Sequence, residues 1–292
     1  MFSGSLVAIV TPMRTDGAVD FAAWERLLDF HLANGTNGIV IGGSTGESAT
    51  LRESELRELT KRACEYVKGR VPIIAGAGTS STATTVERVR GLSELPVAGL
   101  LIATPAYNRP TQEGLYRHFA AAVEATHLPV ILYNIPSRTA VDLQPPTVAR
   151  LAQLPRVVGV KEGVPQLSRV RELIAGCPKD FAVLSGDDPS AREAVLAGAR
   201  GVISVTANVA PRGMAEMVAA VLRGNAEEAA RLDRSLAGLH RDLCAEPNPI
   251  PVKWALARMG LMEGGLRLPL TELSPGYHSQ VLSALRAAEV MQ

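Results

Sequence analysis

The run Val157-Val158-Gly159-Val160-Lys161-Glu162-Gly163 reads as a short buried strand carrying a lysine near its C-terminal end. Burying a lone ammonium is costly, and the usual response is a pKa lowered from about 10.4 until the amine is neutral. A neutral amine is a nucleophile, so Lys161 is a candidate for Schiff-base chemistry on a carbonyl substrate. The plainer reading is a strand-end lysine whose head reaches solvent or a neighbouring carboxylate. The other lysines compete poorly. Lys61 and Lys68 lie in a charge-rich helical stretch, Lys179 in the turn Cys177-Pro178-Lys179-Asp180, and Lys253 on a helix opening after Pro251.

The elements that must hold Lys161 recur in a regular order. Apolar strand candidates at 6–11, 38–43, 72–77, 98–104, 129–135, 157–162, 181–185 and 201–206 alternate with amphipathic stretches near 21–34, 52–68, 81–94, 112–126, 145–153, 165–175, 189–198 and 211–222. Strands apolar on both faces, each followed by a helix, predict a parallel sheet covered by helices. The number of units favours an α/β chain built as a closed (β/α)8 TIM barrel over an open doubly wound sheet. Thr50-Leu51-Arg52-Glu53 has capping-box spacing, and Asp188-Pro189 predicts a capping carboxylate before a first-turn proline. Helical patterns near 226–244, 250–260 and 275–291 predict a C-terminal helical appendage, dividing the chain into a catalytic barrel (1–223) and a packed helical region (224–292).

In such a barrel functional side chains gather at the strand C-termini. Those ends read Thr11-Pro12, Gly42-Gly43-Ser44-Thr45-Gly46-Glu47, Gly76-Ala77-Gly78-Thr79, Thr104-Pro105-Ala106-Tyr107-Asn108, Tyr133-Asn134-Ile135-Pro136-Ser137-Arg138, Lys161-Glu162-Gly163, Ser185-Gly186-Asp187-Asp188 and Ser204-Val205-Thr206. Two of the chain's 5 tyrosines stand on this rim. Alternation puts Ile131 and Tyr133 on one inward row and Gly159 and Lys161 on the next, although a strand tyrosine is commonly a core aromatic with a satisfied hydroxyl. Arg138 is either a loop charge or a bidentate clamp for a substrate carboxylate. Ser44 and Thr45 either make local turn bonds or sit in a glycine-rich loop whose amides hold a carboxylate. Asp187 and Asp188 read as helix caps rather than acid/base groups.

Gly42-Gly43-Ser44-Thr45-Gly46 also matches the pattern of a hydrolase nucleophile elbow, which requires a helix immediately after the serine. Here the capping signal waits until Thr50, and no histidine stands at an obvious strand end, though His240 or His278 would have to serve. Gly76-Ala77-Gly78 lacks the third glycine of a dinucleotide fingerprint. A net charge of +1 gives no electrostatic case for nucleic acid or an anionic membrane. The 3 cysteines, far apart and without CxxC spacing, point to a reduced cytoplasmic setting and away from a zinc site. The Met1–Met13 stretch has no basic n-region and is interrupted by Thr11-Pro12, so it reads as neither signal peptide nor spanning segment.

Taken together, Gly42 to Glu47, Tyr107-Asn108-Arg109-Pro110, Tyr133 to Thr139, Val160-Lys161-Glu162 and Ser185 to Asp188 resemble the dihydrodipicolinate synthase family, within the N-acetylneuraminate lyase superfamily of pyruvate-dependent class I aldolases. The resemblance runs from Gly4 to Lys253. It implies that Lys161 forms the imine and enamine of pyruvate. Tyr133 would exchange the protons, in a relay with Thr45 and with Tyr107 reaching across from a neighbouring subunit. Backbone around Ser44 and Thr45, with the main chain at Ile203 and the strand end at Gly186, would line the pyruvate site. Arg138 would bind the carboxylate of (S)-aspartate 4-semialdehyde, and the product would be 4-hydroxy-tetrahydrodipicolinate, on the route to diaminopimelate and lysine. The resemblance implies a homotetramer, a dimer of tight dimers, with no metal or organic cofactor.

Two positions depart from that pattern. The synthases usually carry threonine where Ser44 stands and the sialic-acid lyases carry serine, which leans towards neuraminate or another 2-oxo acid; Arg138, absent from the lyases, leans back and outweighs it. At the positions matching the family's lysine-feedback site (Ser48, Ala49, Glu53, Leu56, Ser80, Thr84 and Ala106), Ala106 replaces a tyrosine and Leu56 a polar residue. Weak or absent feedback by lysine is the expectation.

Overall fold

The computed structural model describes residues 2–291. Eight short strands carry the barrel: β1 (Gly4–Ala8), β2 (Gly38–Ile41), β3 (Ile73–Gly76), β4 (Gly99–Ala103), β5 (Val130–Asn134), β6 (Val157–Glu162), β7 (Ala182–Ser185) and β8 (Gly201–Ser204). Each pairs in parallel with the next and β8 pairs with β1, so the sheet closes with no free edge. Between them run α1 (Phe21–Ala33), α2 (Glu53–Val67), α3 (Thr82–Ser93), α4 (Gln112–Glu124), α5 (Pro136–Thr139), α6 (Pro145–Leu151), α7 (Leu167–Gly176) and α8 (Ala191–Leu196). Then follow α9 (Pro211–Leu222), α10 (Ala226–Asp242), α11 (Ile250–Arg258) and α12 (His278–Ala287). The expected α/β barrel with added C-terminal helices is therefore the fold, and α5 is the element that sequence periodicity did not announce.

The strands are apolar because both their faces are covered. One face fills the barrel interior with Leu6, Val40, Ile74, Leu101, Ile131, Leu184 and Ile203, closed below by Phe2. The other packs into a larger shell with the helices, and Trp254, Val281 and Leu285 from the C-terminal helices belong to that same shell. α10 lies against α9 and α12 against α10.

Helix starts differ in detail from the expectation. The α2 cap is not at Thr50, whose hydroxyl donates to the Glu47 carbonyl at 3.1 Å; instead Glu55 reaches back to the Arg52 N–H at 2.9 Å. Before α8 the capping carboxylate is Asp187, accepting from the Ser190 N–H at 3.1 Å, which frees Asp188 for another task.

Candidate active site

Lys161 and Tyr133 are register partners at the C-terminal ends of β6 and β5. Both point inward, as the alternation predicted, and Tyr133 packs in the interior with Ile131 and Ile203. The Lys161 ammonium nitrogen stands 4.3 Å from the centroid of the Tyr133 ring. Lys161 is 4% exposed and has no ion-pair partner among the described residues. Desolvation therefore dominates and lowers its pKa to about 8, opposed by the Asp188 carboxylate and assisted by the Arg138 charge. The same burial raises the Tyr133 phenol to about 12, with Arg138 pulling it down and Glu162 pushing it up. At neutral pH the pair is thus a partly neutral amine against a fully protonated phenol.

Gly186 explains how Lys161 fits. A methyl group at Gly186 would lie 3.0 Å from Lys161 Cε and 3.1 Å from its Cγ, so the missing side chain is the space the lysine stem occupies. Asp188, two residues on, sends Oδ2 to the Val205 N–H at 2.9 Å and the Thr206 N–H at 2.8 Å, pinning the turn after β8. Its other oxygen is buried without a partner. The carboxylate that sequence reading assigned to a helix cap is instead a fixed negative charge acting on Lys161.

The loop after β2 turns sharply. Gly42 has φ +65°, and a side chain there would meet Leu56 Cδ1 at 2.3 Å, so glycine is required on both counts. Thr45 is buried and Ser44 half-buried on this loop. No helix begins until Glu53, and His31, His118, His240 and His278 bond to Thr36, Thr82, Thr206 and the Leu273 carbonyl respectively. The arrangement of a serine hydrolase is not assembled at Ser44.

Sequence reading missed Asn248, which ties this loop to Arg138. Its side-chain N–H donates to Thr45 Oγ1 at 2.9 Å, and its carbonyl accepts from Arg138 Nη2 at 2.8 Å. With an N–H donated to it, the Thr45 hydroxyl keeps its own proton free to give away. Nothing at sequence level signals this, since Asn248 lies between two prolines about two hundred positions from Thr45. Lys253 was also passed over. It is wholly buried against an equally buried Glu47, whose second oxygen accepts from the Arg267 N–H at 3.2 Å. That pair fastens the β2 loop to α11.

Lys161, Tyr133, Gly186 and Ile203 thus converge at the top of the barrel. Thr45 and Arg138 are linked to each other through Asn248, and among the described residues no hydrogen bond joins Thr45 to Tyr133. Tyr107 does not join them. It is 92% exposed, at φ +71°, on the outside of the chain. A separate cavity of about 620 Å³ opens at the opposite, N-terminal end of the barrel, and its polar lining side chains are Gln153 and Asp180. Among the described residues no group of three or more His, Cys, Asp or Glu side chains is placed to hold a metal ion, and no helix is long and apolar enough to cross a membrane.

Comparison with known proteins places this geometry among relatives. A profile of the Dihydrodipicolinate synthetase family matches residues 1–288. The chain is 52% identical to a 4-hydroxy-tetrahydrodipicolinate synthase of Aromatoleum aromaticum over 290 residues, 99% of each chain. It is 50% identical to the enzyme of that name from Laribacter hongkongensis over 291 residues, 100% of both. The crystal structure of a chloride-inhibited dihydrodipicolinate synthase from Acinetobacter baumannii, complexed with pyruvate, superposes with a TM-score of 0.98 at 45% identity, covering 100% of each chain.

Proposed function

The chain belongs to the dihydrodipicolinate synthetase family, and from that premise we propose how its own residues carry the reaction. The enzyme is a lyase that condenses pyruvate with (S)-aspartate 4-semialdehyde to give 4-hydroxy-tetrahydrodipicolinate, in lysine biosynthesis through diaminopimelate. The observation that carries the assignment of roles is the pairing of a desolvated Lys161 with Tyr133 on adjacent strand ends. A pKa of about 8 leaves about a tenth of the lysines neutral at pH 7, against roughly one in three thousand at the ordinary 10.5.

The neutral Lys161 amine attacks the ketone carbon of pyruvate. The resulting alkoxide takes a proton from the Tyr133 phenol, and water then leaves to form the iminium. Loss of a C3 proton to the Tyr133–Thr45 relay gives the enamine, which attacks the aldehyde carbon of the second substrate. As it does so, the aldehyde oxygen takes that proton back from the relay to become the hydroxyl. Arg138 holds that substrate's carboxylate at the mouth. The substrate's own amine then displaces Lys161 and closes the ring. Backbone around Ser44 and Thr45, with Ile203 and Gly186, lines the pyruvate pocket, and no cofactor enters these steps.

The remaining readings are of the same kind. Residues 1–223 are the catalytic barrel, and 224–292 are a helical region that supplies Asn248 and Lys253 to its rim. The exposed Tyr107 completes the relay of a neighbouring subunit in a homotetramer. Exposed Ile174, Leu196 and Leu222 support a second contact between subunits. Free cysteines support a cytoplasmic setting. Lysine feedback is weak or absent: Leu56 is buried against Gly42, and the Glu53 carboxylate is already taken by Arg88.

The test is turnover of pyruvate and aspartate semialdehyde in a coupled reductase assay, with N-acetylneuraminate cleavage alongside. The Arg138→Leu variant should lose turnover by about a hundredfold or more while borohydride still traps pyruvate on Lys161. Undiminished condensation by that variant would remove Arg138 from the reading, and neuraminate cleavage in place of condensation would overturn the substrate.

A further inference from the structure

Directly behind the Tyr133–Lys161 pair lies a second pair, Asn134 and Glu162, in the next register of the same strands. Alternation turns these two outward, into the layer between the barrel wall and the helices. Both are buried. Asn134 Nδ2 donates to Glu162 Oε1 at 3.0 Å, to Glu162 Oε2 at 3.2 Å and to Asp142 Oδ1 at 2.9 Å. Its own Oδ1 accepts from the Leu143 N–H at 2.9 Å. Arg169, on α7, donates Nε to Glu162 Oε2 at 2.9 Å and its two terminal nitrogens to the Asp142 carboxylate at 2.9 and 2.8 Å. It also reaches the Leu143 carbonyl at 2.6 Å, and the Val164 N–H closes on Glu162 Oε1 at 2.8 Å.

Every polar group of this cluster has a partner, which is the condition under which a buried polar network fixes a geometry. Stability alone is a poor reason to have it. The Glu162 carboxylate is wholly desolvated and the Arg169 guanidinium largely so, while Asp142 stays 39% exposed at the edge of the cluster. Apolar residues commonly serve as well as or better than such a buried pair. The distinctive property of the cluster is what it joins. Asn134 to Glu162 rivets β5 to β6 one residue beyond Tyr133 and Lys161. Asn134 to Leu143, with Asp142 to Arg169, ties down both ends of the loop that carries Arg138.

We propose that Asn134, Glu162, Arg169 and Asp142 form a positioning cluster that sets the Tyr133–Lys161 separation and the place of Arg138 from behind the barrel wall. It rests on the roles given above to Lys161, Tyr133 and Arg138. None of the four side chains touches substrate. They act through the residues that do, and a misplacement of order 1 Å at such residues costs about a hundredfold in rate.

The test separates the two arms. Wild-type enzyme with pyruvate alone in deuterium oxide should exchange the methyl protons, since the enamine forms by losing a C3 proton and reverts by gaining a deuteron. Borohydride should also trap pyruvate on Lys161. Failure of the wild type in both overturns the reading of Lys161 and Tyr133, not the role of the cluster. The Glu162→Gln variant sets an amide donor against the Asn134 and Arg169 donors. Per active site counted by trapping, its exchange should slow by at least about thirtyfold. The Asp142→Asn variant loosens the loop more than the strand pair. Its KM for aspartate semialdehyde should rise at least about fivefold, a larger change than in its exchange rate. A merely structural role would lower the melting temperature and leave these rates per counted site as in the wild type, and that result overturns the proposal. If Glu162→Gln does not fold, an unchanged KM in Asp142→Asn overturns it alone.

Discussion

Two lysines are buried in this molecule, and their surroundings make them opposites. Lys253, on α11, is wholly enclosed, but the carboxylate of Glu47 is enclosed with it. Burial leaves the Lys253 pKa lowered as well, but here Glu47 opposes the fall at contact distance, by charge and by hydrogen bond. Lys161 is 4% exposed, rests on the face of an aromatic ring and has no carboxylate in contact. Asp188 acts on it through space, with Oδ2 already held by two backbone N–H groups. Burial by itself therefore does not make an amine reactive. A contact ion pair turns a buried lysine into a fastening, and withholding that pair turns it into a nucleophile.

The sharpest way to break the contrast is to remove each lysine in turn. Lys161→Met should abolish condensation and trapping, a loss of about ten-thousandfold or more in the coupled assay. The same variant should be more stable than the wild type. A lysine whose folded pKa is about 8 against an ordinary 10.5 is unfavourable to the fold wherever it must be protonated. That penalty, up to about 3 kcal/mol, is complete below pH 8 and disappears as pH rises through 10.5. Denaturant unfolding at pH 7 and at pH 10.5 checks it, and a Lys161→Met protein less stable than the wild type at pH 7 would refute the account.

Lys253→Met should do the reverse. It strands Glu47 in the interior and should cost about 3–5 kcal/mol, while Glu47→Gln combined with Lys253→Met should recover most of that loss. A double variant as unstable as the single one would mean that the two groups are not coupled. Of intermediate size is the pH dependence of pyruvate trapping. The rate should climb about tenfold per unit up to pH 8 and flatten above it, following the neutral fraction of Lys161. A flat profile between pH 6 and 8 would contradict a lowered lysine pKa. The smallest effect belongs to Gly186→Ala, whose methyl group meets Lys161 Cε at 3.0 Å. The same methyl group also meets the Glu162 backbone carbonyl at 3.0 Å. Displacing stem and strand end by a few tenths of an ångström should slow trapping by roughly threefold to tenfold and lower the melting temperature slightly. No change in trapping would show that the stem moves aside freely.

The barrel was legible because its strands are apolar on both faces and punctuated at regular intervals. Only their ends drifted: β1 finishes at Ala8 rather than continuing to Thr11, since Ile9 and Val10 remain apolar after the ladder stops. The single turn Pro136–Thr139 is too short for any periodicity to reveal. Lys161 and Tyr133 were legible for the opposite reason, being polar groups inside apolar runs whose alternation assigns them a face. Asn248, Asp188 and the Glu47–Lys253 pair were not. Each acquires its role from a contact made across the fold, and a proline-flanked asparagine or an acid before a proline has a sufficient local explanation. Tyr107 was legible as a strand-end tyrosine, but its relay role came only by resemblance, which assigns it to a neighbouring subunit, in keeping with its 92% exposure on its own chain.

The pairing of Glu47 with Lys253 also has a consequence for the order in which the molecule can be made. The two residues are 206 positions apart. At about 5–20 residues per second, a ribosome needs on the order of 10–40 s to travel from one to the other. Throughout that interval the nascent barrel carries a carboxylate destined for full burial with no cation to accompany it. The loop bearing Thr45 consequently settles late, when α11 emerges, although it is encoded among the first fifty residues.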